Sequence, residues 1–419
     1  MIGGRGGRPK GRRLALGAAL AVVTVGIATA AAVASAVEHM QDRAPTAALA
    51  LDANDPAALV RAVDMRIQET RQLPKADVLR RAGVDALRGA PLSAGGIRLV
   101  AIGQQASGRE DKSRKLIELA SRVSRRDFGS QLLLIETSVQ QGDIRKALEH
   151  YDIALRTNKS AENLLFPILA DAIEDPAVRL EFRPLIRSGA PWVGSFLGYA
   201  SRAGGHARIV AAAIFEAGGI EHLTGREDIK SALLQSLAVE RQFGQLSRIY
   251  GTMRGARKDV LTAAGFNDNT TRQVWAPVAW STVTAAPLSA GFQGADRNAR
   301  SLDLQVSLNA GEELIVARKL LYLRPGSYRF RGALEAAAWP AESNVRWILK
   351  CAMNAAEPAI WTGYFTGQGA NKTTVGDFSV ANCPVQYLDL VALSGTGQTP
   401  LDFVVKSPDL QPVAGPSHS

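Results

Sequence analysis

Few residues of the types that do chemistry stand at spacings that would let them act together. The run Gly367-Gln368-Gly369-Ala370-Asn371-Lys372-Thr373 has the texture of a phosphate-binding loop. Such a loop needs glycine immediately before the lysine and another five residues earlier, where this chain has Asn371 and Thr366; the segment also lies between strands instead of opening a helix. It reads as a hairpin loop. Glu312-Glu313 would suit carboxylate catalysis, but adjacent strand residues point to opposite faces and cannot flank one bond. No serine sits in Gly-x-Ser-x-Gly, and no His-Glu-x-x-His occurs. The five histidines (His39, His150, His206, His222, His418) are scattered, and the two cysteines add little to them. The chain therefore reads as having no catalytic residues, no metal ligands and no cofactor site.

Aromatic side chains offer a different chemistry. Five of the six tryptophans, Trp275, Trp280, Trp339, Trp347 and Trp361, fall in the last third of the chain. Indole faces stack on sugar rings, so this density invites a glycan-binding reading. Trp347 shares a strand face with Val345 and Leu349 and is assigned to the core. Trp361 is ambiguous, and Trp339, beside Pro340 at the end of a strand, is the best exposed candidate. Trp339 and Trp361 are the expected glycan contacts.

The elements that must position these residues follow from composition and period. With 419 residues, 46% apolar and 21% charged, the chain is a folded protein of two or three domains. A net charge of +10 would suggest nucleic acid, but Arg5, Arg8, Lys10, Arg12 and Arg13 supply +5, leaving 10 − 5 = +5 over the other 406 residues. No nucleic-acid partner is expected. Residues 1–13 form a basic cytoplasmic flank, and 14–37 run 24 residues without a charge. At about 1.5 Å per residue that run makes a helix of roughly 36 Å, enough to cross a hydrocarbon core of about 30 Å. The positive-inside rule then sends the body across the inner membrane into the periplasm. The alternative is a signal cleaved at Ala32-Val33-Ala34 or Ala34-Ser35-Ala36. Arg12-Arg13 lacks the surroundings of a twin-arginine signal. Either route puts the body in an oxidising space, where Cys351 and Cys383 can pair; there is no Cys-x-x-Cys, so a structural role outranks a redox one.

After a linker at 38–54, residues 55–265 read as amphipathic helices with a period of 34 residues. Val100, Gly108, Ile117 and Ala120 recur as Leu134, Gly142, Tyr151 and Ala154, and Ser113 maps onto Ala147. The glycine closes the turn between paired helices, Ala147 lets the axes approach, and Leu134, Tyr151 and Ala154 fill the seam. These residues stand at the spacing of the tetratricopeptide repeat, which the segment resembles. It departs from that family at Gln131, where tryptophan is favoured, at Ser138, where tyrosine is, and at Lys159, where proline closes the repeat. Trp192 and Tyr199 have the right offset, but Gly204-Gly205 falls late. A three-helix or irregular bundle is the alternative. The resemblance implies a hairpin array whose concave face holds a protein partner.

From 266 to 407 the texture is that of strands, expected at 273–284, 302–308, 313–322, 328–336, 345–352, 359–365, 378–380, 386–393 and 401–405. Arg324-Pro325-Gly326 suits a type II turn, and the strand density points to a two-sheet sandwich. The layout resembles the galactose-binding-like jelly rolls that follow tetratricopeptide arrays in some Gram-negative envelope proteins. Leu323-Arg324-Pro325-Gly326-Ser327-Tyr328, Arg346-Trp347 leading to Cys351, and Phe378-Ser379-Val380 leading to Cys383-Pro384 carry it, with Ala381 where the pattern has proline. The resemblance implies the fold, a Cys351–Cys383 bridge and, by association, a polysaccharide context. The tail at 408–419 reads as disordered.

The expectation is thus a multidomain α plus β chain: a transmembrane helix, an all-α tetratricopeptide-like array and an all-β sandwich. Its expected role is a non-enzymatic periplasmic adaptor in envelope or exopolysaccharide assembly, or, alternatively, a carbohydrate-binding protein acting through the jelly roll with a polysaccharide ligand.

Overall fold

A computed structural model describes residues 32–33, 35–41, 43–223, 226–282, 288–294, 301–309, 311–354, 358–395 and 399–413. The chain divides into two compact units, Met1–Ala161 and Glu162–Ser419, so the helical stretch expected at 55–265 is shared between them. Most of the apolar run at 14–37 lies outside the described residues. Among the described residues no helix is long and apolar enough to cross a membrane.

The first unit is built of helices α1 (Pro45–Leu51), α2 (Pro56–Thr70), α3 (Ala76–Gly89), α4 (Ala94–Gln105), α5 (Glu110–Val123), α6 (Phe128–Gln140) and α7 (Ile144–Thr157). Helix starts repeat at the sequence period: Ala94 and Phe128 stand 34 positions apart, as do Ala76, Glu110 and Ile144. Local chemistry fixes these starts. The side chains of Asp55, Ser93, Asp127 and Asp143 accept hydrogen bonds from the backbone N–H groups of Ala58, Gly96, Ser130 and Lys146, at 2.7–3.1 Å. Gly142 turns the chain between α6 and α7 at φ +70°, a conformation that costs glycine least. Ala101, Ile117 and Leu134 then close one seam, while Tyr151 and Ala154 are buried in the next hairpin.

Gln131 is fully buried. Its amide donates to Ser121 Oγ at 3.1 Å, and its Oε1 lies 3.0 Å from His150 Nδ1. The stretch expected as a linker at 38–54 contains α1, whose Ala48 packs with Val37 and Ala58.

The second unit starts with α8 (Ala161–Ala172) across the unit boundary, then α9 (Pro176–Arg187), α10 (Val193–Arg202), α11 (Ala207–Glu216), α12 (Glu227–Val239) and α13 (Phe243–Gly251). Phe166, Phe182, Trp192 and Phe196 form one aromatic core, with Phe196 edge-on to Phe166 and Phe182 at 5.5 Å. Trp192 belongs to that core and is 3% exposed.

An antiparallel two-sheet sandwich follows in the same unit. Its strands are β1 (Ser281–Thr282), β2 (Leu288–Gly294), β3 (Leu302–Leu308), β4 (Glu313–Leu321), β5 (Gly326–Ala338), β6 (Asn344–Cys351), β7 (Trp361–Tyr364), β8 (Asn371–Val380), β9 (Gln386–Leu393), β10 (Leu401–Val405) and β11 (Asp409–Pro412). One sheet has the order β1-β4-β9-β6-β7; the other has β11-β5-β10-β3-β2, with β8 also paired to β5. Alternate residues of both sheets fill the core, among them Leu304, Val306, Trp347, Leu390 and Phe403.

Several expected bounds are corrected. The strand expected at 273–284 is a 3-10 turn at Gln273–Trp275, followed by a cis Ala276–Pro277 bond and only the short β1. Pro277 has no N–H to give a ladder, which disqualifies the middle of that run. The tail expected to be disordered from 408 adds β11, which pairs with β5 and seats Leu410 against the core. Residues 414–419 lie outside the described residues.

Candidate functional site

The site follows from the alternation of β10. Leu401, Phe403 and Val405 are buried in the core, so Asp402 and Val404 face outward. The register with β3 places Ser307 opposite Asp402 and Gln305 opposite Val404. The register of β3 with β2 carries the rows on, to Ser289 opposite Ser307 and Gly291 opposite Gln305. Three strands thus present small and polar side chains on one outer face.

A groove of 350 Å³ lies there, lined by Ser289, Gly291, Gln293, Gln305, Ser307 and Asp402 together with apolar neighbours. Its lining contains one carboxylate and no basic side chain. The floor is open above Gly291, where an added Cβ would meet nothing within 4 Å. Asp402 Oδ1 is shielded from solvent and has no hydrogen-bond partner among the described residues. A buried acceptor without a donor costs roughly 1–3 kcal/mol.

The structure places both expected aromatic contacts elsewhere. β10 pairs Asp402 with Ala338 but Phe403 with Ala336, a one-residue bulge. The bulge sets Ala337 in the groove wall and turns the following Trp339 to the inner side. There Trp339 packs half-buried against the sandwich core, with Lys372 Nζ 4.6 Å from its ring centroid. Trp361 also packs half-buried against the core, its ring 5.1 Å from Phe330 and 5.5 Å from Phe378. It lies close over Gly363 of β7 and Gly376 of β8, where a Cβ would collide with the indole. Neither tryptophan lines the groove. Trp347 is fully buried, in keeping with its assignment to the core.

Outward positions of the strands expected at 302–308 and 401–405 carried the signal for Gln305, Ser307 and Asp402. Ser289 and Gln293 had no such signal, because β2 reads as a run of small residues.

The opposite sheet is occupied differently. Asp389 on β9 is 1% exposed, and Arg318 clasps it with two hydrogen bonds of 2.6 and 2.8 Å while Lys350 Nζ lies 3.1 Å away. The carboxylate raises the pKa of Arg318 through those bonds. Arg318 also sits 4.8 Å over Tyr387, whose ring meets Phe243 of α13 at 6.5 Å. One end of this face is therefore covered by helices. At the open end Tyr364 is 55% exposed, with the Arg346 guanidinium 5.9 Å over its ring. Glu313, expected at a strand start, pairs with Arg346 at 2.6 Å.

Cys351, at the end of β6, is bridged to Cys383, 32 residues on, with 5.8 Å between Cα atoms. Of the run 367–373, residues 367–370 turn the chain between β7 and β8 and Asn371–Thr373 open β8, with Thr366 bridged to Thr373. Among the described residues no three His, Cys, Asp or Glu side chains are grouped to hold a metal ion.

Two other hollows are polar, and Lys230, Arg272 and Arg114 in them are engaged. A 430 Å³ hollow beside α12 holds Lys230, which pairs with Glu227 at 2.9 Å, and Arg272, which sits 4.5 Å over Trp275. A 210 Å³ hollow between α5 and α6 has Arg114 paired with Asp111 at 3.6 Å.

No protein-family model matches the chain, and no curated protein does. Among solved structures, the C-terminal region is similar to carbohydrate-binding β-sandwich domains. TmCBM61, solved in complex with β-1,4-galactotriose, is 10% identical over 36% of this chain and 99% of its own, with a TM-score of 0.25. The CBM22-1 xylan-binding domain of Paenibacillus barcinonensis Xyn10C is 8% identical over 38% of this chain and 96% of its own, with a TM-score of 0.25. The enzymatically active domain of tailspike protein 4 from bacteriophage CBA120 is 11% identical over 32% of this chain and 19% of its own, with a TM-score of 0.24. At these TM-scores the likenesses carry no argument about ligand or activity.

Proposed function

We propose that this chain is a non-catalytic binding protein whose β-sandwich takes a glycan in the groove across β2, β3, β10 and β5. The observation that carries this reading is an outer-face groove lined by the Asp402 carboxylate and walled by hydroxyl and amide side chains. A saccharide presents rows of hydroxyl groups that both donate and accept, and Ser289, Gln293, Gln305 and Ser307 match them. The outward side chains of Ala337 and Val404 suit the C–H face of a sugar ring.

The helical hairpins support a second, compatible role as a tetratricopeptide-like scaffold. The recurrence of helix starts every 34 residues from Ala76 to Ile144 favours it, since stacked hairpins expose an extended face to a protein partner. The basic flank at 1–13 and the uncharged run at 14–37 support a membrane-anchored location with the body in the periplasm. Together these features describe an adaptor that brings a protein partner and an envelope or exported polysaccharide together.

The test is calorimetric titration of the full-length protein with oligosaccharides, repeated on Gly291→Tyr. At Gly291 a Cβ meets nothing within 4 Å, so a side chain starts there without displacing the backbone. Binding that disappears in Gly291→Tyr and persists in Trp339→Ala supports the groove. Binding that persists in Gly291→Tyr and is lost in Trp339→Ala would place the glycan at the tryptophan and remove this reading.

A further inference from the structure

Resting on the glycan reading above, the geometry points to Asp402 as the residue that sets the groove's specificity, and to an amino sugar with a free ammonium group as its ligand. The argument is one of local charge. Residues 266–419 contain 12 basic and 12 acidic side chains, so this part of the chain has no net field to attract either sign. The groove lining, in contrast, holds a carboxylate and nothing basic.

The cation nearest along the strand is already engaged. Lys406, four residues on from Asp402, lies 3.1 Å from Asp303 and 3.4 Å from Glu335. Across the strands, Asp402 faces Ser307 on β3 and Ala338 on β5. Neither carries a charge, and Ala338 has no polar side-chain atom. A partly buried carboxylate with no ion pair among the described residues favours a donor that brings positive charge. Asp402 lines the groove, so its carboxylate places a negative charge there.

A neutral sugar hydroxyl gives the carboxylate a weaker bond. An acidic sugar meets repulsion, and among the described residues no Lys, Arg or His lines the groove to offset it. The ranking that follows is amino sugar, then neutral sugar, then uronate. The whole chain is at +10, so diffuse attraction would give the reverse order. Specific recognition and bulk electrostatics are therefore distinguishable.

The experiment compares three probes on the full-length protein: chitosan oligosaccharides, their fully N-acetylated counterparts and oligogalacturonate. Each is titrated at low and at high salt, at a pH where the sugar amines are protonated. The first two share a backbone and differ only in charge and acetyl group. The chitosan probe should bind about tenfold or more tighter than the acetylated one, as a charge-assisted hydrogen bond implies. Oligogalacturonate should bind weakest. Asp402→Asn, which keeps the shape, should erase that preference and leave the acetylated probe within a few-fold of its wild-type affinity. An unchanged melting temperature would show that the variant folds. Equal or tighter binding of the acidic or acetylated probe by the wild type, or an intact preference in Asp402→Asn, overturns the assignment of Asp402 while leaving the glycan reading standing. Failure of all three probes and of neutral plant and bacterial glycans would instead remove the glycan reading itself.

Discussion

Arg98 and Asp64 stand one 34-residue period apart and are joined by two hydrogen bonds of 2.8 and 2.9 Å. The same guanidinium reaches Asp127 at 2.8 Å, the residue that caps α6. One buried cation therefore ties α2, α4 and α6 together, using a position that recurs because the hairpins do. Removing one partner of a buried ion pair strands the others. Arg98→Ala should destabilise the first unit by about 3–5 kcal/mol, read as a lower chemical-denaturation midpoint of the helical signal. A loss under about 1 kcal/mol, the range of an exposed pair, would show that the clamp is solvated.

Lys319 on β4 gives a pH dependence with a defined sign. Its ammonium is fully buried and donates to the carbonyl oxygens of Val260, at 2.6 Å, and Val278. Burial pushes its pKa down from 10.5 to about 7. Between those values the unfolded chain holds the proton and the folded chain does not. Unfolding then takes up a proton, so stability rises as pH increases from about 7 toward 10.5. This contribution is absent below pH 7, where both states are protonated. Lys319→Met should flatten the slope of melting temperature against pH in that window. A slope unchanged by the substitution would contradict the assignment.

Trp361 and its two glycines make a packing prediction separate from ligand binding. Trp361→Ala should cost roughly 2–4 kcal/mol by leaving a gap against Phe330 and Phe378, with glycan affinity within about twofold of wild type. A large loss of affinity without a loss of stability would make the indole a ligand platform.

The Cys351–Cys383 bridge ties the end of β6 to the turn before β9. Closing a loop of 32 residues stabilises by about 3–4 kcal/mol on the chain-entropy argument. Replacing both cysteines with alanine should lower the sandwich's melting temperature, and treating that variant with a reductant should lower it no further. A reductant effect that persists would mean the loss came from another source.

The helical hairpins were legible because their signal repeats: Gly108 and Gly142, and Ala120 and Ala154, mark turn and seam at one spacing. β3 to β6, β9 and β10 were legible because each alternates large apolar residues with polar ones. β2 and most of β8 were not, since Leu288–Gly294 and Asn371–Val380 are rich in Gly, Ser, Thr and Ala, whose burial depends on partners far away in the chain. The groove went unseen for the same reason. It is made of small outward residues on strands brought together only by the sheet order, whereas the tryptophans that drew notice are held half-buried by a bulge at Ala337 and by Gly363 and Gly376. Lys319 gave no sign either: its burial is set by Val260 and Val278, 59 and 41 positions away.

The most direct measurement is a crystal structure of the protein soaked with the tightest-binding oligosaccharide. The account predicts a sugar ring over Gly291 with a donor within hydrogen-bond distance of the Asp402 carboxylate. A sugar bound instead on Tyr364 of the opposite sheet, or against Trp339, would contradict it.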